Sequence, residues 1–193
     1  MTAKDFALKL KEHFGELVSE PQEFRSEITV CINDPMRIAE VCAYAKQTLG
    51  FDYLVDITSI DNLGEQLRWA VVYELYGYNH HCHLRLKTNI AEESSCLPTV
   101  SNIWKTANWH EREIYDMMGI GFDGHPDLRR ILLWEGYPYH PLRKDFPLQG
   151  KPSEVPDVAF TQSAPLEGGP FITKPGETAS EREPRSRNSS ESA

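Results

Sequence analysis

No stretch of this chain approaches the roughly 20 consecutive apolar residues that a membrane span requires. Its amino terminus carries acidic residues and no Arg, and it lacks the apolar block of a secretory leader, so neither a signal peptide nor a mitochondrial presequence is expected. Positive charge is scarce as well: 20 Lys and Arg against 29 Asp and Glu leave a formal net charge of −9. Nucleic acid would demand a basic face to displace counterions, so no nucleic-acid partner is expected, whereas the balance suits a soluble protein or one that docks on other proteins. Cysteine is sparse and scattered. Cys31, Cys42, Cys82 and Cys96 include no Cys-x-x-Cys pair, so no zinc or iron–sulfur ligation is expected, and four reduced thiols in a reducing cytoplasm are. A Gly-x-Ser-x-Gly elbow is missing, and Gly119-Ile120-Gly121 runs into Phe122-Asp123 without the further glycines or Lys of a phosphate loop.

What is present reads as one α+β domain with an appendage. At 193 residues and 40% hydrophobic content the chain has material for a single core. Phe6, Leu10, Phe14 and Leu17 share one helical face over 3–18, and Ile28, Val30 and Ile32 alternate as a strand with one solvated side. Asp34-Pro35 starts a second helix through Ile38, Val41, Cys42 and Ala45, which stops at Gly50. Three strands follow, Tyr53–Ile60, Leu67–Tyr76 and His81–Leu86, joined by hairpin turns at Asp61-Asn62-Leu63-Gly64 and Gly77-Tyr78-Asn79. The order α-β-α-β-β-β predicts helices packed on a mostly antiparallel sheet. Pro98 is expected to open a short helix through Ile103 and Trp104. Asn108-x-x-Glu111 then resembles a capping box on a last helix, with His110, Ile114, Met117 and Met118 on one face, and Gly119 ends it.

His80-His81-Cys82-His83 is the one run that invites a metal reading. On a strand, His81 and His83 face one side and His80 the other, and two imidazoles without a carboxylate make half a site, so a solvated strand face is expected there. Among carboxylates only Glu111, Glu113 and Asp116 are dense, and the interleaved Arg112 is expected to keep them ionised as ion pairs. Catalytic, cofactor-binding and metal residues are therefore all expected to be absent from this chain. A free-standing metalloenzyme built on His81 and His83 is the remotest alternative.

From Glu111 to Gly150 the chain packs five basic, seven acidic and two histidine side chains among Gly and Pro turns, with no sustained period. Such a segment, held in one shape, must satisfy its charges internally or against a partner. Glu111-Arg112-Glu113-x-x-Asp116-Met117-Met118, followed by His125 and Arg129, resembles the motif of the 30 kDa subunit family of respiratory complex I, the proton-pumping NADH–quinone oxidoreductase. Gly124-His125-Pro126-Asp127-Leu128-Arg129-Arg130-Ile131-Leu132 and Pro141-Leu142-Arg143-Lys144-Asp145-Phe146-Pro147-Leu148 extend the likeness in the same order. The chain departs from the family at Met118, where Phe is common, and between Leu133 and Pro141, where the usual Asp-Trp-Gly-His run is rearranged.

The resemblance implies a non-catalytic assembly subunit of the hydrophilic arm, holding no cofactor itself, with FMN and iron–sulfur clusters in partner subunits. The implied partners are the quinone-site large subunit and the iron–sulfur subunits. The implied location is peripheral, on the cytoplasmic side of the bacterial inner membrane, which the chain would reach only indirectly. An equivalent subunit of a related membrane-bound hydrogenase or ferredoxin–quinone complex is the alternative. Residues 1–105 are then the α+β domain, 106–150 a charged docking segment, and 151–193, which holds six of the 13 prolines, an extended arm expected to be disordered beyond about Thr178. Arg112, Arg129, Arg130, Arg143 and Lys144 are expected to bridge either to Glu111, Glu113, Asp116, Asp127 and Asp145 or to carboxylates of a neighbour.

Overall fold

A computed structural model describes residues 1–148, and the expected arm over 151–193 lies outside them. Residues Met1–Pro147 form one compact unit, so the last helix and the irregular segment after it pack with the sheet. The elements run α1 (Ala3–Phe14), β1 (Gln22–Phe24), β2 (Glu27–Ile32), α2 (Ile38–Gln47), β3 (Tyr53–Asp61), β4 (Trp69–Gly77), β5 (Cys82–Ile90), β6 (Cys96–Pro98), α3 (Ala107–Met118) and β7 (Gly121–Asp123). Five strands form the main sheet in the order β1-β2-β5-β4-β3. All neighbours pair antiparallel except β2 with β5, whose parallel pairing places β2 beside β5 at the far side from β3. The α+β class and the mostly antiparallel sheet match the expectation.

One face of the sheet makes the core. Ile28, Val30, Ile32, Leu84, Leu86, Tyr73, Leu75, Leu54 and Ile57 point into it and meet Phe6, Leu10, Ile38, Val41 and Ala45 of the helices. The opposite face carries Asp56, Thr58, Glu74, Arg85 and Lys87, the alternation that a half-solvated antiparallel sheet requires. Arg85 ties Glu27 and Glu74 together across three strands of that face.

Several local expectations are corrected. α1 ends at Phe14, because Gly15 takes φ +58, and Leu17 reaches the core from a separate 3₁₀ turn at Gly15–Leu17. Before β2 lies the short strand β1, joined to it by Arg25 and Ser26 at φ 50 and 67, a primed turn without the usual glycine. Asp34 does cap, accepting the Met36 amide at 3.0 Å, but the first turn, Pro35–Arg37, is 3₁₀. Pro98 opens no helix: Cys96–Pro98 is β6, paired parallel with β7, a pairing between segments too short to show an alternating pattern. His80 and His81 sit in the β4–β5 turn, His81 at φ 49, so only His83 belongs to the strand and no two imidazoles line one strand face. Phe6 covers the His80 ring at 4.5 Å, and His80 Nε2 bonds the Leu49 carbonyl at 3.0 Å, which makes that imidazole a packing group.

Candidate functional site

α3 is the post on which the charged segment is hung. Its register puts Glu111, Arg112, Ile114, Asp116, Met117 and Met118 out of solvent, and it ends at Gly119 in the left-handed conformation, φ 75. The expected capping box does not form. Thr106 holds the cap position without a side-chain bond, and Glu111 turns inward instead of back to Asn108.

Asp116 is fully buried and gathers the segment around itself. One carboxylate oxygen accepts the consecutive amides of Ile131, Leu132 and Leu133 at 3.0, 2.7 and 2.9 Å, and the other accepts the Arg130 guanidinium at 2.6 Å. Its backbone carbonyl accepts from both Arg130 and His140 Nδ1. Burial works to raise its pKa, but the Leu133 amide, Arg130 and the other two amides outweigh it and hold the carboxyl below the ordinary range. Among the described residues Arg112 pairs with no carboxylate: its guanidinium donates to the carbonyls of Arg129 and Arg130 at 3.2 Å each and lies over the Trp109 ring.

Glu111 is equally buried and differently served. It accepts a hydrogen bond from the Val100 amide at 2.7 Å and meets Thr99 Oγ1 at 2.5 Å. The His125 imidazole stands 3.8 Å away, its Nε2 donating to the Asn108 carbonyl and its Nδ1 accepting the Asp127 amide. Arg112 therefore does not keep Glu111 ionised, contrary to the expectation from their adjacency in the chain. Burial pushes the carboxyl up to about 7 against the weaker pull of Thr99 and Val100.

A second anchor joins the segment to the sheet through Asp61, Arg68 and Glu92, none of which stood out in the sequence. Arg68, 5% exposed, is held bidentate by Asp61 at 3.0 Å, and it also reaches Glu92 at 2.7 Å and Asp145 at 2.5 Å. Asp61 in turn accepts the Lys144 amide at 2.8 Å. Burial opposes ionisation of Asp61, and the Arg68 and Lys144 donors overcome it, so that carboxyl lies below its usual range. Arg143 closes the segment onto α3, giving its Nε hydrogen to the Met118 carbonyl at 2.6 Å. Arg68 and Arg143 both lie over the buried Trp69 ring, at 4.3 and 5.2 Å. The register sets Trp69, not Arg68, directly opposite Asp61, so the ion pair forms just beyond the end of the ladder, where no strand pattern points to it.

The motif residues thus divide. Glu111, Arg112, Asp116, Arg130, Arg143 and Asp145 are engaged within the chain, and His125 is braced between Asn108 and Asp127. Pro126 and Pro141 stiffen the turns between these anchors. Arg129 and Asp127 pair with each other at 2.9 Å in the open, and Glu113, Leu142 and Lys144 face solvent. Among the described residues no group of three or more His, Cys, Asp or Glu is placed to hold a metal, and no helix is long and apolar enough to cross a membrane.

The geometry defines an α+β module whose charged segment is folded back and locked onto its own last helix and sheet. Over residues 31–152 the chain matches the family described as respiratory-chain NADH dehydrogenase, 30 Kd subunit. It is 43% identical over 148 residues to an NADH-quinone oxidoreductase subunit of Geobacter sulfurreducens, covering 76% of this chain and 91% of that one. The corresponding subunit of Geobacter metallireducens is 45% identical over 144 residues, covering 74% and 88%. Among solved structures, a trypsin-resistant fragment of Nqo5 is 32% identical with a TM-score of 0.56, covering 66% of this chain and all of that one. A chain of the membrane-bound sulfane sulfur reductase, an archaeal respiratory membrane complex, shares the fold at 21% identity and a TM-score of 0.64, covering 75% and 85%. The chain belongs to the family of the 30 kDa subunit of respiratory-chain NADH dehydrogenase.

Proposed function

We propose that this chain is a non-catalytic assembly subunit of the hydrophilic arm of a proton-translocating NADH–quinone oxidoreductase. It holds no cofactor. FMN and iron–sulfur clusters reside in partner subunits, and the whole complex carries electrons from NADH to quinone. Its neighbours are the quinone-site large subunit and the iron–sulfur subunits, and it reaches the cytoplasmic side of a bacterial membrane only through them. Family membership and the names of the bacterial relatives support this reading.

The observation that carries it is the use of the motif charges. Asp116, Arg130 and Arg112 of the motif, together with Asp61 and Arg68 from the β3–β4 end, are spent on fixing an irregular backbone, and Leu132 and Leu142 are turned outward at 63% and 60% exposure. A segment whose backbone is pinned by these contacts and whose apolar side chains face out loses little entropy when it docks. The test is affinity capture of the tagged full-length chain from gently solubilised native membranes, with assay of NADH-dependent quinone reduction in the eluate. Co-recovery of quinone-site and cluster subunits with that activity is expected. Hydrogenase-type partners without NADH activity would assign the chain to a related membrane complex, and recovery of the chain alone would overturn both.

A further inference from the structure

We propose that the outward side of α3 is a docking cleft for a partner segment that presents one aliphatic side chain with a Lys or Arg beside it. This deepens the assembly role proposed above and rests on it. Of the twelve residues of α3 only Trp109 and Glu113 are exposed, and at one turn's separation they lie on the same stripe. Leu142 continues that stripe, because the Met117 carbonyl holds its amide at 3.2 Å.

Between this stripe and β3 opens a cleft of about 90 Å³ with Ile57, Ile114, Met117, Met118 and Leu142 among its walls. Liquid water takes roughly 30 Å³ per molecule, so the space suits a few waters or one branched aliphatic side chain. Methionine walls adapt to the shape of what enters. Leu142, 60% exposed, lines the opening, and Trp109, equally exposed one turn before Glu113, extends the same outward stripe with the Arg112 guanidinium 5.3 Å from its ring. Prearranged aromatic and aliphatic anchors around a small pocket are the usual seat of interface energy.

Charge identifies the neighbour of that aliphatic group. Glu113 lies in the cleft wall and forms no ion pair among the described residues, while the other charges of α3, Glu111, Arg112 and Asp116, are buried and engaged. Among the described residues Asp56 on the facing wall is paired with His110 alone, at 3.0 Å. The mouth is therefore acidic on a chain of net charge −9, and a cationic side chain complements it.

The test replaces the native chain by Glu113→Lys, Leu142→Asp or, as a control with the same charge change in the β3–β4 turn, Glu65→Lys. Purified variants are first shown to melt like the wild type, and the amount recovered in the assembled complex is then measured. Glu113→Lys and Leu142→Asp should each lower incorporation at least about tenfold, with Glu65→Lys unchanged. Hydroxyl-radical footprinting of the wild type supplies a second readout, in which the exposed Trp109 and Leu142 should be oxidised in the free chain and protected in the complex. Equal incorporation of all three variants, or Trp109 as reactive in the complex as outside it, overturns the proposal and leaves the assembly role standing. Protection already present in the free full-length chain means the cleft is filled from within and also overturns it. Wild-type chain recovered with no oxidoreductase overturns both readings.

Discussion

At the scale of residues, α3 carries two fully buried carboxylates that titrate in opposite directions, and the difference is the number of donors each receives. Asp116 has three amides and a guanidinium; Glu111 has one amide, one hydroxyl and an imidazole whose nitrogens are engaged elsewhere. The Glu111 carboxyl is raised in the fold, to about 7, so its protonated form is the one the fold favours. Its contribution is fully present below the unfolded pKa and is lost as pH rises through about 7, with a total swing of roughly 3 kcal/mol. Asp116 is depressed, so its contribution is present at neutral pH and lost as pH falls through its folded value. Thermal melts from about pH 4 to about pH 8.5, spanning the unfolded and folded values, should show Glu111→Gln nearly matching the wild type at the acid end and surpassing it at the alkaline end. A wild type whose melting temperature falls no faster with pH than that of Glu111→Gln would mean the carboxylate is stabilised by something other than these donors. Asp116→Ala, by contrast, should cost about 3–5 kcal/mol at neutral pH, because it strands Arg130 and three amides. Urea unfolding measures that loss directly.

At the scale of elements, the turn out of α3 decides whether the segment can lie against the helix. Gly119 has φ +75, and a Cβ there would collide with the Arg143 guanidinium and come within 2.7 Å of the His140 ring. Gly119→Ala therefore meets both the left-handed backbone penalty of about 1–2 kcal/mol and the displacement of the side chain that caps the Met118 carbonyl. Its melting temperature should fall well below that of Gly136→Ala, whose Cβ would meet only Trp134 at an ordinary 3.9 Å. This stop was legible in the sequence, as were α2 and the three long strands, because each combines an apolar period with a turn or cap residue at its end. The elements that were not legible are three residues long: β1, β6 and β7 have no room for a period, and their pairing is decided by what lies beside them. Glu111 misled for a related reason. A capping box and an inward carboxylate look alike in sequence, and only the Thr99-Val100 turn, brought across by the β6–β7 pairing, separates them.

At the scale of the whole molecule, the sheet and the charged segment are one structure because Asp61 and Arg68 stitch the segment to the β3–β4 end. The charges within the 111–145 motif were legible from their density, but their partners were not, since ion pairing between positions 68 and 145 depends on a topology no local pattern encodes. Burial ranks the members of this junction. Asp61 is 3% exposed and Arg68 5%, whereas the Asp145 side chain is 54% exposed. Removing a partner from the buried pair leaves a stranded charge and should cost about 3–5 kcal/mol, while an exposed partner contributes about 0–1 kcal/mol. Asp61→Ala should therefore destabilise the fold strongly and free the backbone at Lys144, exposing Arg143 and Lys144 to trypsin. Asp145→Ala should melt within a degree or two of the wild type and resist the protease nearly as well. Equal trypsin susceptibility of the two variants would show that the exposed carboxylate shares the anchoring equally. Cleavage confined to Asp61→Ala instead locates the junction at the buried pair, the point from which the outward face of α3 and Leu142 takes its rigidity.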